Sequence, residues 1–247
     1  TYKYTFKSVL IIPLFAILGL TFGCEPASME KDNQSQKVHI EILGSETIKL
    51  NGETIALSQF SSVFSDLSID PNKVIVEMNV QNGASMGAVT DVQSILREQG
   101  ALKINYTKKS PGESDSKVKK SKPIKERNIL TLHINKDGRI LVDQDQVQPE
   151  SVKEVVKQFL TNHGESADLS ETPKDAIVSF KTNQQTPYDT YTRTLENVLD
   201  VYQELREQES MNLFEKPYTE LEEGSLQQEK IKDLYPKKIS IQEPSGR

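Results

Sequence analysis

The chain has 247 residues, 35% of them hydrophobic and 6% aromatic, with no tryptophan, so two thin domains are expected in preference to one thick core. A formal net charge of −6 argues against a general nucleic-acid binder, because phosphate binding needs a sustained positive surface. The single cysteine excludes an internal disulfide and a thiolate metal site.

The chain opens on an apolar run, "SVLIIPLFAILGLTFGC", over residues 8–24. At about 17 residues it is at the lower limit for crossing the hydrocarbon core as a helix. Lys3 and Lys7 precede it and Glu25, Glu30 and Asp32 follow, which places the N-terminus in the cytoplasm and the rest outside. Pro13 is tolerable near the start of such a helix, where few backbone bonds are lost. A second reading stays open: a secretory signal ending at Gly23-Cys24, with Cys24 as a lipidation site. On both readings residues 1–24 are an anchor or a lipoprotein signal and the polar remainder is exported; a third, a buried core helix, would not export it. Residues 25–36 carry no apolar periodicity and read as a tether.

Structure is expected from Val38. "VHIEIL" alternates as a half-buried strand does, and Ile48 and Leu50, an Asn51-Gly52 turn, then Ile55 and Leu57 predict a hairpin. Phe60, Val63, Phe64 and Leu67 follow helical spacing, with Ser58 as the expected cap and Asp70-Pro71 as the stop. "KVIVEMNV" returns to strand. A helix follows Ser85 with Val89, Val92, Ile95 and Leu96 as its apolar stripe and Gly100 beyond its end, and "LKINYT" closes the unit as a strand.

Residues 108–127, "KKSPGESDSKVKKSKPIKER", are rich in lysine, serine and proline and read as a solvated basic linker. The same order of elements then returns. "ILTLHINKDGRILVD" gives two strands about an Asp137-Gly138 turn, and Pro149 opens a helix with Val152, Val155, Val156, Phe159 and Leu160 on one face. "DAIVSFKT" is the next strand. Thr186-Pro187 starts a long helix with Asp189 in its first turn and Tyr188, Tyr191, Leu195, Val198, Leu199, Tyr202 and Leu205 along one side. The tyrosines fit core packing before a recognition face. "KKISIQEP" closes the sheet after an acidic insertion over roughly 207–236 that the first unit lacks. The predicted fold class is α+β: two tandem domains, 37–107 and 128–247, each a mixed sheet packed with two helices.

The stretches "ILTLHINKDGRILVD", "DLSETPKDAIVSFKTNQQTPYDTYTRTLENVLDVYQELRE" and "YPKKISIQEPS" resemble the periplasmic domain of the ExbD/TolR biopolymer-transport family, especially its Bacteroidetes-type members. The first unit, from "IKLNGETIALSQFSSVF" to "LKINYT", resembles the shorter form of that domain more loosely, which would make two copies. The resemblance implies an inner-membrane location, a periplasmic domain, TonB-like or ExbB-like partners in a TonB-type system, and a tendency to form homodimers. One departure bears on mechanism. Proton-coupled members carry an aspartate in a single membrane helix, whereas residues 8–24 hold no Asp, Glu, Lys, Arg or His. An accessory role without proton carriage is therefore expected. The apolar run is also similar to the last membrane helix of BlaR-type antirepressor metallopeptidases; on that alternative the chain is a sensor tail whose protease motif lies upstream of Thr1, since no His-Glu-x-x-His occurs here.

No catalytic, cofactor-binding or metal-ligating set is predicted, and no enzyme activity. His39, His133 and His163 stand far apart with no partner at metal-ligand spacing. Asp143 and Asp145 lack the rest of a calcium loop and read as a hairpin rim. Serine and lysine are abundant without a glycine elbow or a phosphate loop around them.

Overall fold

The computed structural model describes residues 36–71, 73–106 and 124–246. The anchor with Cys24, the BlaR-like resemblance, nearly all of the tether and most of the basic linker lie outside the described residues. Among the described residues no helix is long and apolar enough to cross a membrane.

The first unit begins with β1 (Lys37–Ile42), followed by the hairpin β2 (Thr47–Leu50) and β3 (Glu53–Ala56). Asn51 and Gly52 both take positive φ, 51° and 91°, as the tight turn between twisted strands requires. The helix α1 (Phe60–Asp66), the strand β4 (Ile75–Val80), the helix α2 (Met86–Glu98) and the strand β5 (Ile104–Tyr106) complete it. Ser58 does not cap α1. It lies inside a 3-10 turn, Leu57–Gln59, and the Gln59 side chain instead accepts the Ala56 N–H at 3.3 Å. Ser85 does cap α2, its Oγ accepting the Ala88 N–H at 3.2 Å.

The second unit repeats this plan. It runs β6 (Ile129–Ile134), β7 (Ile140–Val142), β8 (Asp145–Val147), α3 (Val152–Leu160), β9 (Ile177–Thr182), α4 (Tyr188–Phe214), α5 (Leu226–Leu234) and β10 (Ile239–Ile241). Strand β8 is a correction to the expected element order, and the turn before it has φ of 48° at Asp143 and 74° at Gln144. Part of the predicted linker also belongs to this unit. The Arg127 guanidinium donates to Leu169 O at 2.9 Å and to Ser166 O at 2.6 Å, and Lys125 pairs with Glu171 at 2.7 Å.

The sheets have the orders β3-β2-β1-β4-β5 and β8-β7-β6-β9-β10. Their directions agree as well: β1 is antiparallel to β2 and parallel to β4, and β6 is antiparallel to β7 and parallel to β9. Lys37 faces Ile75 in one register and Ile129 faces Ile177 in the other.

Alternation sends Val38, Ile40, Ile42, Val76, Met78 and Val80 to the helix side of the first sheet, all buried. Leu130, Leu132, Ile134, Val178 and Phe180 do the same in the second. Each such side chain contributes about 1.5–3 kcal/mol on removal from water. Both sets belong to one contiguous apolar cluster. The far face of the first sheet is charged. Lys37 and His39 both reach Glu77, at 2.7 and 3.1 Å, and the Lys37 hydrogen bond holds the Glu77 carboxyl below its ordinary range.

Residues 207–214, expected to begin the acidic insertion, instead continue α4, and the rest of the insertion, with α5, folds back onto the C-terminal half of that helix. Arg206, 3% exposed, donates from Nε and Nη2 to Tyr235 O at 2.9 and 2.8 Å and lies 5.7 Å from the Tyr218 ring centroid. Tyr218, Leu221 and Ile231 form a small second core there, with Phe214 against it.

Candidate functional site at the junction of the two units

The two sheet units meet where α2 and α4 begin. Ser85 and Pro187 face each other as an antiparallel bridge. Met86 N–H donates to Thr186 O at 2.9 Å, and Tyr188 N–H donates to Ala84 O at 3.0 Å. These bonds flank the pair, so Pro187 occupies a position from which no N–H is asked. Gly87 N–H adds a bond to Gln184 O at 2.9 Å. A Cβ on Gly87 would stand 1.9 Å from Gln184 Oε1 and 3.0 Å from Gln184 O. The amide could swing aside; the carbonyl could not.

The second unit's side of the junction is built by the threonine-proline-tyrosine helix start. Thr186 Oγ1 accepts the Asn183 N–H at 2.9 Å and donates to Ile134 O at 2.9 Å, which fastens the turn before α4 to the end of β6. The C-terminal segment follows β9 into the same place: Ser245 N–H donates to Thr182 O at 3.0 Å and Gln184 N–H to Ser245 O at 3.2 Å.

A cleft of about 400 Å³ opens beside these contacts. Its walls include Met86, Val89 and Arg97 of α2, Tyr188 of α4, and Ile241 and Glu243 of the C-terminal segment. Both units supply it. Burial, with the Tyr106 hydroxyl as a smaller cause, pushes the Tyr188 phenol up to about 12, so it stays neutral at physiological pH. The cleft offers apolar contact and hydrogen bonding, and Tyr188 is no base there.

The three histidines are not brought together. His39 lies on the charged face of the first sheet, His133 Nε2 is buried without a hydrogen-bond partner, and His163 occupies a left-handed turn after α3 at φ 49°. Among the described residues no group of three or more His, Cys, Asp or Glu is placed to hold a metal. Asp143 and Asp145 form the rim of the β7–β8 hairpin. Tyr191 and Tyr202 are core residues at 2% and 0% exposure, as helical spacing predicted. No periodicity in the sequence points to the junction, and its one local signal, Gly87 inside a helix, is weak.

No curated protein matches the chain. Residues 111–205 match the model of a protein family described as biopolymer transport protein ExbD/TolR, a span that starts in the basic stretch, takes in β6 to β9 and ends within α4, so the similarity falls on the second unit.

Proposed function

We propose that the chain is a membrane-anchored periplasmic module of an energy-coupled biopolymer-transport system of TonB type, in which it binds partners and does not carry protons. The similarity of residues 111–205 to the ExbD/TolR family carries this reading. The equal strand order of the first unit supports a second, more divergent copy of the same domain. The apolar run at 8–24 supplies the anchor, whether as a spanning helix or as a lipoprotein signal ending at Cys24. Because that run has no ionisable side chain, proton passage would change no charge in it, and coupling falls to an aspartate-bearing partner.

Two measurements test the proposal. In a Cys24→Ser background, Ser116→Cys should react with a membrane-impermeant maleimide in intact spheroplasts; protection would overturn the topology. Loss of the chain should lower energised outer-membrane uptake while an ExbD that bears the aspartate is still present. If the chain alone restored uptake to cells lacking that ExbD, the accessory role would be wrong.

A further inference from the structure

Tandem units joined by a linker can touch anywhere, and an arbitrary contact would pair unlike positions. Here the positions are alike. The interval from Ile75 to Ser85 equals that from Ile177 to Pro187, so the two bridged residues occupy the same place in the two units. The bonds obey the same rule, Met86 to Thr186 in one direction and Tyr188 to Ala84 in the other, with each partner the counterpart of its opposite. Met86 and Tyr188, the equivalent first residues of α2 and α4, are both buried, at 5% and 7% exposure. Reciprocal contact between equivalent residues is the signature of an isologous interface, the kind that joins two copies of one subunit.

We infer that the two units are a single-chain pseudo-dimer: the helix-start face of each is a binding surface whose fitted partner is the other unit, and the contact holds without the linker. This goes beyond the transport reading and does not depend on it. The competing explanation is that the linker alone keeps the units together by raising their effective concentration. Two features favour a fitted surface. Pro187 sits where the pairing needs no N–H, and Gly87 sits where any side chain would meet the Gln184 carbonyl.

The experiment cuts the full chain in detergent at the lysines between 108 and 120 and asks whether the fragments stay together. On gel filtration at micromolar concentration they should co-elute. In a Cys24→Ser background, Ser85→Cys with Pro187→Cys should form a disulfide on mild oxidation, because residues facing each other across a non-hydrogen-bonded antiparallel pair lie within disulfide reach. The fragments of that variant should then run as one band without reductant. Gly87→Val should weaken the association of cut fragments about tenfold or more. Gly44→Ala, in open space, should leave it unchanged. Separation of the unmutated fragments on cutting, or failure of the paired cysteines to link, overturns the inference. The cysteine pair keeps the test decisive if Gly87→Val does not fold.

Discussion

Thr182 and Val80 are counterparts, the last residues of β9 and β4, and both point into the core at 0% and 5% exposure. The valine fills its place with carbon alone. The threonine brings a buried hydroxyl that finds no hydrogen-bond partner.

An unpaired buried hydroxyl costs about 1–3 kcal/mol, and replacing it with an apolar group of the same shape removes that cost. Thr182→Val should therefore raise stability by about 1 kcal/mol, or about 2–4 °C in Tm for a domain of this size. The bonds that the Ser245 N–H and hydroxyl donate to Thr182 O are untouched by the change. A fall in Tm would show that the hydroxyl is satisfied in solution.

The insertion on α4 should open as a separate unit when Arg206 is removed. Its guanidinium joins α4 to Tyr235 O and packs on Tyr218, Glu207 Oε2 accepts the Tyr218 N–H at 3.0 Å, and Ser210 Oγ donates to Lys216 O at 2.7 Å. Few apolar side chains share the work, so this small core has little reserve. Hydrogen bonds from a charged donor contribute about 1.5–3 kcal/mol. Arg206→Met should speed amide exchange over residues 218–234 by about thirtyfold while the amides of β6 and β9 keep their protection. Equal loss in both places would mean that the insertion is an integral part of the sheet unit.

Most of the fold was written in local pattern, and the exceptions have physical reasons. Asn51-Gly52 announces its hairpin because both residues accept positive φ readily, and the hairpin is there. Asp143-Gln144 makes the equivalent turn with neither glycine nor asparagine, so the aspartates mark the hairpin rim only weakly and the short strand β8 beyond it carries no apolar alternation of its own. Ser58 had the chemistry of a cap but lies within a 3-10 turn, whereas Ser85 has both the chemistry and the place. The pairing of Ser85 with Pro187 follows from no periodicity, because a contact between distant segments is fixed by the fit of two surfaces that local pattern does not encode. Gln184 and Arg97 became legible as cleft residues only once α2 and α4 were set side by side.

Alkaline conditions should loosen the junction through Tyr188. Its folded pKa, about 12, stands above the ordinary value of 10.0, so above pH 10 the unfolded chain loses the phenolic proton while the folded protein keeps it. The folded state then binds more protons than the unfolded one, and stability falls as pH rises. The contribution is fully present below pH 10 and is lost between about 10 and 12. Tyr188→Phe should flatten the fall in Tm across that window relative to the parent. An identical slope in the two proteins would show that Tyr188 does not titrate with unfolding.

Trypsin should distinguish the linker's two parts, which the sequence alone treats as one stretch from 108 to 127. Lysines 108, 109, 117, 119 and 120 lie in the lysine, serine and proline composition of a spacer, whereas Lys125 and Arg127 are tied down by side-chain bonds to the second unit. Asn128 completes the attachment: its Oδ1 accepts the Glu171 N–H at 2.8 Å. A protease must draw several residues of backbone into its own cleft, so a bonded segment is cut only when it opens. First cuts are therefore expected at or before Lys120, with Lys125 and Arg127 intact at the new N-terminus of the C-terminal fragment. Arg127→Gln removes one cleavage site and two anchoring bonds together, which leaves Lys125 as the reporter. Cleavage after Lys125 should rise in that variant by about tenfold or more, as expected when hydrogen bonds from a charged donor are lost. Mass spectrometry of the early fragments reads the result, and cutting at Lys125 in the parent at the same rate as at Lys117 would show that the attachment to Glu171, Leu169 and Ser166 does not persist in solution.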